Sequence, residues 1–229
     1  MSQKLSRRAA RLCALLRVRP QGAEISEEQR SALSAAAAWL DQALRPGQIA
    51  LIAGPSRSGK SRLLDVCGVE LGGARWVKPF RSDRRVVDTI PGRDSVAIAW
   101  LVRLGLSDPA VWLTPTRLLC ETDQARLALA RAFARCAPGG VVLVDDLGAA
   151  LPAAEAAAIC RSARRAAQKS GARLIAATGR DDLLEALAPE CLVVGPLSNG
   201  PQLLMRESGN AGGRGGRGGS EDGNLEGGA

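Results

Sequence analysis

Two short runs of consecutive apolar residues interrupt a chain whose spacing is otherwise mostly helical. Residues 48 to 53 (Gln-Ile-Ala-Leu-Ile-Ala) follow Pro46 and Gly47, and residues 141 to 144 (Val-Val-Leu-Val) follow Gly140. Neither alternates with polar positions, so each predicts a strand buried on both faces, as in a parallel sheet. The β-branched residues of the second run favour the extended state further. Residues 61 to 67 carry apolar positions at helical spacing and predict a helix that stops at Gly68. Residues 31 to 44 predict another, with Trp39 on its core side. Residues 86 to 90 read as a further strand or strand end before the turn at Pro91 and Gly92. Buried strands separated by helices predict an α/β domain in three layers with a mainly parallel sheet.

Between the first strand and the first of these helices stand Gly54, Pro55, Ser56, Arg57, Ser58, Gly59, Lys60 and Ser61, followed by Arg62. The spacing is that of a phosphate-binding loop, G-x-x-x-x-G-K-[ST]. A triphosphate concentrates negative charge, and wrapping it takes glycines at close backbone approaches, inward N–H groups and a helix N-terminus behind them. Lys60 is placed to reach the β- and γ-phosphates, and the Ser61 hydroxyl to take one coordination place on Mg2+. Arg57 occupies a position where glycine is common in such loops, and is expected to point into solvent. The loop predicts ATP with Mg2+ as the cofactors. The base preference, ATP against GTP, is open.

The second strand ends in Asp145 and Asp146. A carboxylate at the tip of a core strand facing a phosphate loop is a magnesium ligand, which assigns Asp145 to the metal and Asp146, the next residue outward, to positioning or deprotonating water.

The order of these elements, with residues 119 to 133 (Leu-Cys-Glu-Thr-Asp-Gln-Ala-Arg-Leu-Ala-Leu-Ala-Arg-Ala-Phe) between them, resembles the nucleotide-binding domain of ATP-binding cassette (ABC) ATPases. That family carries a Leu-Ser-Gly-Gly-Gln signature followed by a basic helix, and residues 126 to 133 match the helix closely. Residues 174 to 181 resemble its switch strand and residues 191 to 194 its closing strand, so the resemblance extends over residues 45 to 197. It implies a P-loop three-layer sandwich, ATP and Mg2+ as ligands, and weak ATP hydrolysis with Lys60 and Asp146 as catalytic residues.

The departures from the family pattern fall on its catalytic side. Where the family presents Ser-Gly-Gly to a nucleotide held by a partner subunit, this chain has Cys120, Glu121 and Thr122. A carboxylate facing the γ-phosphate would cost about 1 kcal/mol or more at an effective dielectric near 20. Gly179 stands in place of the switch histidine, in a chain with His 0. Asp146 replaces a glutamate, and no glutamine occurs between Ser61 and Gln124, where Asp88 is either a substitute for the family's loop glutamine or an ordinary turn acid before Pro91 and Gly92. Residues 62 to 118 are a short insert for coupling to a membrane channel, and no run reaches the roughly 18 apolar residues of a membrane span.

Charge adds to this reading at the termini. The net charge is +8, with a pI of about 9.8. Residues 1–22 form a basic, acid-free helix or arm, residues 23–205 the P-loop domain, and residues 206–229 a tail rich in glycine and arginine, whose composition cannot bury a core. Both ends are candidate contacts for nucleic acid, and a protein partner or a homodimer fits the family resemblance. Six cysteines without a C-x-x-C pair read as reduced core residues of a soluble cytoplasmic protein. The leading expectation is an ATPase whose slow or conditional hydrolysis switches a conformation or an assembly. A nucleic-acid-associated ATPase and a nucleotide-binding scaffold without catalysis stay open. A small-molecule kinase would use the basic cluster Arg75, Lys78, Arg81, Arg84 and Arg85 but leaves residues 119 to 133 unexplained.

Overall fold

The computed structural model describes residues 26 to 195 and 200 to 206. The basic segment 1–22 and the tail beyond residue 206 lie outside them. Helix α1 (Glu27–Ala43) opens on a capping box in which the Ser26 hydroxyl accepts from the Gln29 backbone N–H at 3.2 Å. It is followed by β1 (Ile49–Ala53), α2 (Lys60–Glu70) and a two-residue strand β2 (Arg75–Trp76). The insert holds α3 (Asp94–Arg103), the short α4 (Pro109–Trp112) and two 3-10 turns. Then come α5 (Glu121–Arg135), β3 (Val141–Val144), α6 (Ala153–Ser170), β4 (Arg173–Thr178), the short α7 (Leu184–Leu187), β5 (Cys191–Val194) and β6 (Gln202–Met205).

The strands form one sheet in the order β2-β3-β4-β1-β5-β6, parallel throughout except for β6, which runs antiparallel to β5. Alternate side chains of β1, β3 and β4 divide between two cores, as the strand period of two requires. Ile49, Leu51, Val142, Val144, Leu174 and Ala176 pack under α3, α5 and α6, while Ala50, Ile52, Val141, Leu143, Ile175 and Ala177 pack under α1 and α2. The sheet is thus covered on both faces, which is why its central strands carry no polar alternation.

Two sequence expectations fail here. Residues 86 to 90 contain a 3-10 turn, Val87–Thr89, and the strand that joins the sheet in this region is β2. A pair of residues, one of them Arg75, leaves too short an apolar run to be read as a strand. Helix α2 also runs through Gly68 to Glu70. A Cβ at Gly68 would lie 3.0 Å from the Trp76 indole nitrogen, so this glycine admits β2 against the helix instead of ending it. Trp39 packs on the core beneath α1.

Candidate functional site

Because the strands are parallel, the turns after β1, β2, β3, β4 and β5 emerge at the same edge of the sheet, where ligands of open α/β folds bind. The chain leaves β1 at Gly54 and enters α2 at Lys60. Gly59 caps this helix with φ +101°, and Arg57 has φ +68°, so the loop turns through two left-handed residues, a backbone pattern that suits an anion-binding nest. Arg57 is exposed, as expected. The N–H groups of the first helical turn have no intrahelical acceptor and supply the positive end of the helix dipole.

Lys60 is 7% exposed, and its ammonium donates to the carbonyls of Gly54 and Pro55, each at 2.8 Å. A cation is therefore folded into the ring of the loop itself. The Ser58 hydroxyl, closed off from solvent, has no hydrogen-bond partner, and Ser58 N–H donates to Pro55 at 3.2 Å. A caged ammonium, an unsatisfied hydroxyl and a fan of helix N–H groups suit a tetrahedral oxyanion. Ser61 follows on the exposed side of α2.

Strand β4 lies between β1 and β3, so the tips of β1 and β3 stand roughly 10 Å apart. Asp145 at the β3 tip is half-buried, and its Oδ1 accepts from the Asp146 N–H at 3.0 Å. Asp146 is exposed, with φ +48°, a conformation that Asp and Asn tolerate better than most residues. Among the described residues no group of three or more Cys, Asp or Glu side chains is clustered to hold a metal. One or two carboxylates beside a phosphate loop suit Mg2+, which keeps several waters and takes the rest of its ligands from substrate phosphates.

A cavity of about 310 Å3 beside the acid pair is lined by Pro79, Arg81, Glu121, Gln124, Asp145 and Asp146 among others. Sequence reasoning passed over two of these. Arg81 was one cation among many until β2 brought residues 77 to 81 beside β3, with Val77 N–H donating to Leu143 at 2.8 Å. Gln124 is buried on α5, bonds the Thr116 carbonyl through Nε2, and leaves its Oε1 without a partner. Asp88 does not line this cavity. It belongs to a different one of about 720 Å3 in the insert, with Arg84, Ile90, Asp94 and Trp112.

Cys120 caps α5, and Glu121 begins it, exposed, at the favourable end of the helix dipole. The Thr122 hydroxyl is bonded to the Glu155 carboxylate of α6. Gly179 follows β4, and a Cβ there would lie 3.7 Å from the Gly54 carbonyl oxygen, in ordinary contact with the phosphate loop. Arg180, next along, clamps the segment after Asp146 by donating to the carbonyls of Gly148 (2.8 Å) and Leu151 (2.6 Å) while pairing with Asp182. Asp182 in turn holds the guanidinium above, and is itself held below, its ordinary protonation range through their hydrogen bonds.

A phosphate loop between β1 and α2, with an acid at the end of a strand once removed, defines a P-loop α/β domain. Solved structures place it more closely. An ATP-binding cassette of an ABC transporter in its ADP conformation matches with a TM-score of 0.57 at 15% identity, over 71% of this chain and 82% of that one. An inward-facing putative metal-chelate type ABC transporter gives 0.58 at 19%, over 71% and 73%. The cbiO1 protein from Clostridium perfringens, part of the ABC transporter complex cbiONQ, gives 0.52 at 16%, over 65% and 73%. The chain therefore has the fold of an ABC-type P-loop ATPase domain. No family model and no curated protein matches its sequence. Among the described residues no helix is long and apolar enough to cross a membrane.

Proposed function

We propose that this chain binds ATP with Mg2+ through residues 54 to 62 and Asp145, and that binding, with slow hydrolysis, switches its conformation or its assembly with a partner. The observation that carries this reading is the Lys60 ammonium held inside the loop by two backbone carbonyls. A buried cation bonded to neutral dipoles alone is a poor end state, and phosphate oxygens are better acceptors for it. On binding, Lys60 would exchange the Gly54 and Pro55 carbonyls for β- and γ-oxygens, and the loop N–H groups would take the remaining charge. Ser61 and Asp145 would hold Mg2+, which would neutralise charge on the phosphates.

The slow half of the proposal rests on what surrounds Asp146. Its carboxylate is exposed and one methylene shorter than a glutamate, and a misplacement of about 1 Å can cost on the order of a hundredfold in rate. No side chain stands at Gly179 to help, and Glu121 adds like charge near the acid pair. Calorimetric titration of Mg-ATP into the wild type and Lys60→Ala, with phosphate release followed in the same samples, tests both halves. We expect binding that weakens at least about a hundredfold in the variant. Equal binding by the two proteins would remove the phosphate loop from the function, and turnover of about 1 per second or more would remove the word slow.

A further inference from the structure

The edge of the sheet formed by β2 carries a second concentration of positive charge that the nucleotide site does not use. Arg75, Lys78, Arg131 and Arg135 line a notch of about 140 Å3 whose apolar wall includes Trp76 and Ala128. No carboxylate lines it. Elsewhere on the chain arginines meet acids: Arg126 pairs with Asp123 at 3.2 Å, Arg164 with Glu190 at 2.7 Å and Arg173 with Asp41 at 2.7 Å. Here the positions are set through backbone instead. Arg75 Nε donates to the Arg135 carbonyl at 3.1 Å, and Arg135 donates to the carbonyls of Arg131 at 3.0 Å and Thr89 at 2.8 Å. The guanidinium of Arg131 lies 3.6 Å from the centroid of the Phe80 ring, and its Nε is buried without a hydrogen-bond partner.

Cations gathered in this way repel one another, and among the described residues no carboxylate lines the notch to offset them. Burial, with Arg135 and Arg84 close by, pulls the Arg131 guanidinium down to about 10. It stays charged at neutral pH, so an anion from outside is the missing counter-charge. Rigid guanidinium forks, one of them stacked on a ring, suit a planar or tetrahedral oxyanion better than a point charge. Several cations around one small notch favour an anion that offers more than one acceptor oxygen. We propose that this notch is a phosphate-binding site separate from the phosphate loop, taking a single phosphate group, whether free or within a phosphodiester backbone. A notch of about 140 Å3 has room for one such group. Exposed Arg81, Arg84 and Arg85 continue the positive charge along the same segment, which is where a longer polyanion would run.

The proposal stands apart from ATP binding, and the test keeps it so. In the full chain carrying Lys60→Ala, inorganic phosphate and a short single-stranded oligonucleotide are titrated separately at fixed ionic strength. Phosphate is expected to bind, and Lys78→Gln, at an exposed position, to weaken it several-fold; Arg131→Lys, which keeps the charge but loses the fork, should weaken it by about tenfold. Circular dichroism confirms that each variant is folded. An oligonucleotide that binds more tightly than phosphate and loses affinity through the same substitutions identifies a nucleic-acid backbone as the source. A response confined to phosphate identifies a free phosphate or a monoester. Phosphate binding that neither substitution changes, or a glutamate-rich peptide that competes as well as phosphate, would overturn the assignment.

Discussion

The two sides of the candidate site are built to different standards. On the side of β1 and α2, Gly54 to Ser61 follow the phosphate-loop spacing and Lys60 is buried and held at two points. On the side of β3, β4 and α5, the positions that would act on the bond are Asp146, exposed and left-handed, Gly179, without a side chain, and Glu121, of the wrong charge for a phosphate. Holding a nucleotide and cleaving it make separate demands, since interactions present equally before and during reaction bind without accelerating. A chain can keep the first set while losing the second. The Thr122 to Glu155 bond adds to this contrast, because it commits to an intramolecular partner a residue at the start of α5 that the family resemblance would present to a second subunit.

The comparison is sharpened most by adding side chains on the side of β3, β4 and α5. Gly179→His places an imidazole beside the phosphate loop, where a Cβ makes ordinary contact, and Asp146→Glu lengthens the acid. Together they should raise phosphate release by about tenfold to a hundredfold while leaving the affinity for Mg-ATP nearly unchanged. A flat rate in the double variant would put the deficit at Glu121 or outside this chain, and Glu121→Gly in the same background then separates the two. At the β3 tip, Asp145→Asn should weaken ATP binding about tenfold in the presence of Mg2+ and hardly at all in EDTA. A loss of equal size in both conditions would mean that Asp145 shapes the fold and does not meet the metal.

The better-built side was also the more legible in the sequence, and for the same reason. A phosphate loop is local: its glycines, lysine and serine must follow one another, so spacing alone displays them. β1 and β3 were equally plain, because strands covered on both faces lose polar alternation. What escaped was non-local. β2 is two residues long and joins the sheet through Gly68, whose missing side chain admits Trp76, a packing fact that reads in the sequence as a helix stop. Arg81 and Gln124 come to line one cavity with Asp145 only after β2 and α5 are folded against β3. Asp88 was chosen by distance along the chain, which does not measure distance across the insert.

Thiols behind the two halves give a smaller test. Burial, aided by Glu70, raises Cys67 on α2 to about 12, and burial raises Cys160 on α6 to about 11, from 9.0 in each case. The folded state keeps these protons after the unfolded chain has lost them, so the unfolded state binds fewer protons above pH 9 and stability falls as pH rises. Near pH 10 the loss from each thiol is about 1 kcal/mol, and it continues to higher pH for Cys67 than for Cys160. Denaturant titrations from pH 8 to 11 should show the decline, with Cys67→Ala flattening it more than Cys160→Ala. A decline that ignores both substitutions would place its origin in other groups.

The smallest effect bears most directly on why the side of β3, β4 and α5 holds an aspartate at all. With φ +48°, Asp146 occupies a region where Asp and Asn are favoured by their short polar side chains and longer residues are not. Asp146→Asn should therefore leave stability unchanged within a few tenths of a kcal/mol, whereas Asp146→Glu should cost up to about 1 kcal/mol. The same substitution that brings a carboxylate closer to the phosphate is thus expected to loosen the turn between β3 and α6, a turn already held by Arg180 on Gly148 and Leu151. If urea midpoints show Glu and Asn equally tolerated, the backbone places no demand on this position, and the short acid reflects its chemistry instead of its turn.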